Sequence, residues 1–178
     1  MSDRELVARI RANPNCIVAD PIKRADLHFP ALHEGHVLPD DLREFYDICG
    51  GISLFEHSPW SMMIVPPTEV VLANIVLFPG LRPEQLTSSF DDISWTWYLI
   101  ARNDSGEYLT IDLSKERAGR CYNSFMGYHA NPGSSTIVAF SFTELLTRLY
   151  EDKGEHWLPN VISLGDAYDG TVREVKRR

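Results

Sequence analysis

Cysteine is scarce in this 178-residue chain, and its three copies, Cys16, Cys49 and Cys121, lie far apart. An odd number of widely spaced cysteines is not a disulfide framework, and without a Cys-x-x-Cys pair it is not a zinc-binding pattern. We therefore predict three reduced thiols, with Cys49 in the core.

Long apolar runs are also missing. The longest ones, at 52–55, 62–65 and 70–78, fall short of the roughly 20 residues that a membrane helix requires. The N-terminus alternates charged and aliphatic residues and lacks the apolar centre of a signal peptide. These absences predict a cytoplasmic protein that does not span a membrane.

Signatures of catalysis are absent as well. The chain has no nucleophile elbow, no glycine-rich phosphate loop and no His-Glu-x-x-His pair. In an enzyme, the general acid–base groups would have to come from Asp91, Asp92, Glu107 and Asp112, or from a histidine-bearing loop. Paired acids in loops are usually surface residues, so a small hydrolase is the less favoured alternative, and we predict no cofactor.

The histidine-bearing loop, within residues 16–36, holds three of the six histidines. Its candidate metal ligands are Asp26, His28, His33, Glu34 and His36. The His-x4-His-x2-His spacing matches no helix face, and no apolar strand holds the ligands in place. We therefore favour a polar surface loop over a metal site.

Acidic residues are concentrated in the middle of the chain. The formal charge is −8, but residues 26–116 carry 15 acids against 4 bases, and the two ends together carry 10 acids against 13 bases. A middle region of charge −11 disfavours nucleic-acid binding, because it would repel phosphates. It suits a basic protein partner, although an acidic surface also simply keeps proteins soluble.

The most clearly delimited element is the stretch 38–51 (LPDDLREFYDICGG). Pro39 suits a first helical turn, and three acids complement the positive end of the helix. Apolar residues recur at helical spacing, namely Leu42, Phe45 and Cys49. We predict an amphipathic helix that ends where Gly50 adopts a left-handed conformation.

Two hairpins are predicted after this helix. Residues 52–55 and 60–65 read as strands around a Glu-His-Ser-Pro turn. Residues 93–101 and 107–113 form a second pair around Asn103-Asp104-Ser105-Gly106. In the first strand of this pair, period-2 alternation places four residues on one face: Trp95, Trp97, Leu99 and Ala101.

The remaining elements flank these hairpins. Ser2 with Glu5, and Ser141 with Glu144, fit capping boxes at the starts of two helices. Residues 68–75 are ambiguous between helix and strand, and short strands are predicted near 119–122 and 136–140. The segment 79–94 is long for a connection and reads as a functional flap or an insertion.

The order of these motifs resembles that of the SUKH superfamily, which includes a fungal cell-wall-synthesis regulator and bacterial immunity proteins that neutralise secreted polymorphic toxins. The resemblance covers about residues 1–150. It is carried by Leu38-Pro39-Asp40, Phe45, Gly50-Gly51, the run 100–106 (IARNDSG), Tyr108, Ile111-Asp112-Leu113, the run 139–142 (AFSF) and Leu145-Leu146.

This resemblance implies an α+β fold with a curved, mostly antiparallel sheet flanked by N-terminal helices and a C-terminal helix. It also implies no catalytic residues. We expect residues 1–150 to form one SUKH-like domain and residues 151–178 to be a C-terminal extension packed on the same domain. We expect partner specificity to reside in the two parts that depart from the family pattern, namely the segment 79–94 and the residues after Tyr150.

We therefore predict a protein-binding module, specifically an immunity protein that binds a basic toxin or another protein partner. A regulatory scaffold of the same fold is the alternative. The predicted contact residues are Glu56, Trp60, Asp91, Asp92, Trp95, Asp104 and Glu107. In the competing interpretation the acids are solvated turn residues and the tryptophans, Trp97 above all, belong to the core.

Overall fold

The structure is a computed structural model that describes residues 3–23, 29, 32–80, 92–125, 127–153 and 163–169. Within these residues the helices are α1 (Asp3–Arg11), α2 (Asp40–Ile48), α3 (Ala73–Leu77) and α4 (Phe142–Glu151). The strands are β1 (Ile17–Val18), β2 (Ile52–Leu54), β3 (Met62–Ile64), β4 (Trp97–Arg102), β5 (Tyr108–Asp112), β6 (Cys121–Asn123) and β7 (Ile137–Ala139).

The strands form one open sheet in which every strand pairs antiparallel with the next, in the order β1 to β7. Both predicted hairpins are present, as β2–β3 and β4–β5. The α+β class expected from the resemblance is confirmed. No helix among the described residues is long and apolar enough to cross a membrane.

Three helices pack together with the sheet around the main hydrophobic core. Leu6 of α1, Phe45 of α2 and Leu145 of α4 are each at most 1% exposed and belong to this cluster. Hydrogen bonds join the same helices, because the Thr143 hydroxyl donates to Asp3 Oδ1 at 2.6 Å and its backbone N–H donates to Asp41 Oδ2 at 3.0 Å. Asp41 therefore links α2 to α4, in addition to complementing the positive N-terminal end of its own helix.

All three cysteines are free and buried, and Cys49 is fully buried in the core, as predicted. Burial raises the pKa of the Cys49 thiol to about 11. It also raises the pKa values of Cys16 and Cys121. The thiols are therefore uncharged at neutral pH and are poor nucleophiles.

The helix ends only partly follow the predictions. The Ser141 hydroxyl caps α4 by accepting from the Glu144 N–H at 3.1 Å, as expected, whereas Ser2 of the other capping box lies outside the described residues. The prediction that a left-handed Gly50 ends α2 is wrong. The helix ends at Ile48 and Cys49 is extended, while Gly51 has a positive φ of +141°. Gly50 is needed for space, because a Cβ there would lie 2.7 Å from the Asp20 carbonyl oxygen.

The predicted shared face of the 93–101 strand is also wrong. Trp95 precedes β4, in a 3-10 turn at Ile93–Thr96. A β-bulge between Leu99 and Ala101 then interrupts the alternation. As a result Ala101 packs in the main core, while Trp97, fully buried as expected, joins a second hydrophobic cluster.

The ambiguous stretch 68–75 contains a 3-10 turn at Pro67–Glu69 followed by α3. The short strands expected near 119–122 and 136–140 appear as β6 and β7. Of the predicted 79–94 loop, residues 81–91 lie outside the described part of the chain.

Residues 163–169 pair with the start of β7 on its outer side. The Leu164 N–H donates to the Ile137 carbonyl at 3.0 Å, and the Ile137 N–H donates to the Gly165 carbonyl at 2.9 Å. Tyr168 packs edge-to-face against Trp97, with ring centroids 6.0 Å apart. The division into residues 1–150 and an extension stays a prediction, although this part of the C-terminal region contacts the sheet directly.

Candidate partner-binding site

The β2–β3 and β4–β5 turns lie at the same end of the sheet, because β3 pairs with β4 with Met63 opposite Arg102. Between them is an open cavity of about 240 Å³. We call it the turn-end groove. Its lining includes Glu56 and His57 from the first turn and Asn103 and Asp104 from the second. Met62, Met63 and Arg102 line it from the strands.

The β4–β5 turn is fixed by the side chain of Asn103, which is 7% exposed. Its Oδ1 accepts from the backbone N–H groups of Ser105 and Glu107, both at 3.0 Å. Its Nδ2 donates to Glu107 Oε2 at 2.6 Å. One amide therefore holds the turn and orients Glu107, leaving Asp104 exposed at the tip.

The β2–β3 turn is held by hydrogen bonds that centre on Ser58. The Ser58 N–H donates to the Phe55 carbonyl at 2.8 Å, and the Ser61 N–H donates to the Ser58 carbonyl at 3.0 Å. The Ser58 hydroxyl accepts from the Trp60 N–H at 3.1 Å. Glu56 is exposed, and Trp60 leaves 40% of its surface accessible.

The groove is negatively charged overall. Glu56 and Asp104 are exposed, and neither carboxylate forms an ion pair with another described residue. Arg102 is the basic residue of the lining, but its Nε contacts Glu69 Oε2 at 3.1 Å. Because Arg102 is paired with Glu69 while neither Glu56 nor Asp104 is paired within the described part of the chain, the groove favours a cationic group from a partner.

The structure brings together four of the seven predicted contact residues at this end: Glu56, Trp60, Asp104 and Glu107. Asp92 and Trp95 lie instead before the start of β4, at the other end of the sheet, and Asp91 lies outside the described residues. Asp92 Oδ1 accepts from the Ser94 N–H at 2.8 Å and the Tyr168 hydroxyl at 2.9 Å. Trp95 is 7% exposed and offers little surface to a partner. Contact with a partner stays a prediction for all seven.

Some residues of the site could not be found by sequence reasoning. Arg102 and Glu69 are 33 residues apart, and no local spacing rule connects them. Met62 and Met63 lie in a predicted strand, and nothing in the sequence distinguishes them from other apolar strand residues. Asn103 did carry a signal, because an Asn that opens an Asn-Asp-Ser-Gly turn commonly accepts hydrogen bonds from the residues that follow it.

Asp112, one acid–base candidate of the hydrolase alternative, is poorly placed for catalysis. Asp112 is fully buried, and its Oδ1 accepts from Thr96 Oγ1 and the Ser114 N–H, both at 2.8 Å. Its Oδ2 accepts from Arg117 Nε at 2.8 Å and the Tyr122 hydroxyl at 3.1 Å. A buried carboxylate with four donors is already saturated and has no contact with solvent.

The histidine-bearing loop is held by one tyrosine. Tyr98 Oη accepts from the His33 N–H at 3.2 Å and lies 2.8 Å from His36 Nδ1. Burial lowers the pKa of His36, and nearby His33 acts in the same direction against the pull of Asp112. Asp26 and His28 lie outside the described residues, within which no three side chains form a metal-binding group.

A buried chain of hydrogen bonds superficially resembles a catalytic triad. His129 Nδ1 lies 3.0 Å from Ser124 Oγ, and His129 Nε2 lies 2.7 Å from Asn74 Oδ1. Asn74 Nδ2 donates onward to Ser94, so Asn74 Oδ1 accepts and His129 carries its proton on Nε2. His129 Nδ1 then accepts from Ser124, whose oxygen in turn accepts from Thr110 at 2.7 Å.

This chain is sealed from solvent. Ser124 and Thr110 are fully buried, and His129 is 5% exposed. Burial lowers the pKa of His129 to about 4, so the ring is neutral at pH 7. No substrate atom can reach Ser124 Oγ, and the chain instead joins α3, β5 and the 127–135 loop.

Comparison with known proteins shows that this chain resembles a protein family and a bacterial relative. A family model described as the SMI1 / KNR4 family (SUKH-1) matches residues 31–148, more than half of the chain. A Bacillus subtilis (strain 168) protein named Immunity protein YokJ is 41% identical over 173 residues, which cover 96% of this chain and 98% of that protein.

Proposed function

Because this chain belongs to the SMI1 / KNR4 family (SUKH-1), we propose that it is an immunity protein that neutralises a toxin by binding it directly. The observation that carries the proposal is the 41% identity, over nearly the whole of both chains, to a protein named as an immunity protein. The protein acts by occupation of a surface rather than by catalysis. The burial of Asp112 and Ser124 supports that view.

The proposed contact surface is the turn-end groove. A lysine or arginine of the toxin enters it between Glu56 and Asp104, and Trp60 packs against the toxin beside the groove. Toxins that act on nucleic acids bind phosphates and therefore tend to present basic surfaces, which the acidic middle of this chain complements. The encounter takes place in the cytoplasm of the cell that makes both proteins.

The direct test is co-expression with a candidate toxin taken from the genes that neighbour the gene of this chain. We expect cells that express both proteins to grow, cells that express the toxin alone to die, and a stoichiometric complex to elute in size-exclusion chromatography. The absence of both growth and a complex would contradict the proposal. Growth without a complex would contradict direct binding but would remain consistent with an immunity role.

The contact surface is tested by charge reversal. We expect Glu56→Lys/Asp104→Lys to weaken the dissociation constant for the toxin by about 10- to 100-fold, because two favourable charge contacts become repulsive. A matched control, Glu34→Lys/Glu116→Lys, makes the same change of charge at exposed sites at the other end of the sheet. Equal weakening in both variants would show that net charge, and not the groove, determines the affinity.

A further inference from the structure

Phe55, directly after β2, has an unusual backbone conformation. Its φ is +53°, in the left-handed region that bulky side chains rarely adopt. Two other described non-glycine residues have positive φ, namely Ala130 and Lys153. Lys153 follows α4, where a left-handed residue commonly closes a helix, and Ala130 is a small residue in a loop. Phe55 has neither explanation, so its strain must be offset by its surroundings.

The ring of Phe55 provides that compensation. Phe55 is 6% exposed and stacks on Tyr150 of α4, with ring centroids 6.0 Å apart and an interplanar angle of 15°. The Tyr150 hydroxyl donates to the Arg9 carbonyl of α1 at 3.3 Å, and the Arg9 guanidinium lies 5.7 Å above the Tyr150 ring. The Phe55 side chain is thus anchored to two helices.

The backbone of Phe55 sets the course of the β2–β3 turn. Its carbonyl accepts from Ser58, which in turn accepts from Trp60 and Ser61. The next residue, Glu56, donates its N–H to the Asn15 carbonyl at 3.2 Å. A Phe55 with negative φ would continue the direction of β2 and would break this set of bonds.

We propose that Phe55 is a positioning residue for partner binding. Its left-handed backbone, anchored by the ring on Tyr150, directs Glu56 and Trp60 outward in the orientation that the toxin contacts. Phe55 itself does not touch the toxin. This inference rests on the proposed function, and it explains why an aromatic residue occupies a backbone position suited to glycine.

The binding test compares two variants by surface plasmon resonance, with the candidate toxin that the co-expression experiment identifies as the probe. Phe55→Ala keeps the Cβ that opposes a positive φ but loses the anchoring ring, so we expect at least tenfold weaker affinity, mainly through faster dissociation. Tyr150→Leu removes the partner of the Phe55 ring and leaves the residues of the turn as they are, and we expect a smaller loss of affinity of the same kind. The control Val138→Ala creates a core cavity in β7, and we expect its affinity to stay within threefold of wild type.

A second readout does not depend on the toxin. In the free protein, we expect the amide hydrogens of Ser58 and Ser61 to exchange at least tenfold faster in Phe55→Ala than in wild type. In Val138→Ala they should exchange as in wild type. Phe55→Gly, which accepts a positive φ without strain but has no ring, should give intermediate exchange.

The outcomes separate the two proposals. A wild-type protein that does not bind the toxin contradicts the proposed function, while the exchange experiment still tests the role of Phe55. Wild-type affinity or wild-type exchange in Phe55→Ala overturns the positioning role. If Phe55→Ala does not fold, Tyr150→Leu decides by the same two measurements.

Discussion

Single buried polar residues fix this fold at places where the hydrophobic core cannot. Asp112 joins the 3-10 turn before β4 to β6 through Thr96 and Tyr122. His129 joins α3 to β5 through Asn74 and through Ser124, which is hydrogen-bonded to Thr110. Apolar side chains would fill the same space without choosing one arrangement. Each of these polar groups is costly to leave without its partner, so each makes a measurable contribution to stability.

We expect Asp112→Asn to lower the free energy of unfolding by about 3 kcal/mol, because the amide cannot accept from all four donors and leaves Arg117 without its counter-charge. Urea denaturation at pH 7 measures the change. Asp104→Asn, at an exposed site, is the matched control and should change stability by less than about 0.5 kcal/mol. A similar small loss in both variants would show that the buried pair contributes little.

Stability should fall in mild acid because of His129. Its pKa is about 4 in the folded protein against an ordinary value of 6.5, so below pH 6.5 the unfolded chain binds a proton that the folded chain refuses. The resulting loss grows as the pH falls from about 6.5 to about 4 and amounts to roughly 3 kcal/mol. We expect His129→Gln to remove this component in urea unfolding at pH 7 and pH 4.5, whereas His57→Gln should keep it.

Elements defined by local patterns were predictable, and those defined by distant contacts were not. The turn chemistry of Asn103 to Gly106 and the serine cap of α4 were correctly predicted, because neighbouring residues decide them. The bulge in β4 depends on its pairing with β5, and no local pattern reveals it. The groove was only half predictable, since its acids lie in recognisable turns but the pairing of Arg102 with Glu69 comes from packing.

Gly51, just before β2, allows a test of how closely β2 and β3 pack. It has a φ of +141°, and a Cβ would lie 2.9 Å from the Ile64 carbonyl oxygen of β3. We expect Gly51→Ala to lower the free energy of unfolding by about 2 kcal/mol or more, from backbone strain and displacement of β3. Gly80→Ala, at a site with nothing within 4 Å, should be nearly neutral. Equal values for the two variants would contradict the crowding at Gly51.

The whole molecule carries a formal charge of −8, with the excess of acids concentrated between residues 26 and 116. Such a field acts on a basic partner before contact, so it raises the association rate more than it slows dissociation. The two ends of the chain together are slightly basic, and their charge compensates only part of the negative charge of the middle region.

Association with the proposed basic partner should therefore depend on salt. We expect the association rate constant to fall at least tenfold between 50 and 500 mM NaCl, as the Debye length shrinks to a few ångströms, with little change in dissociation. Stopped-flow fluorescence measures both rates. Glu56→Lys/Asp104→Lys should show a shallower salt dependence, and a steep dependence retained in that variant would place the steering charges outside the groove.

The pairing of residues 164–166 with β7 also determines how this sheet behaves among other chains. Uncovered edge strands recruit strands from other molecules and can begin fibril growth. Here the outer side of β7 is paired at its first residue, Ile137, and β1, at the opposite margin, is only two residues long. Strands of other chains therefore find few unpaired backbone groups at these two edges to which they could add.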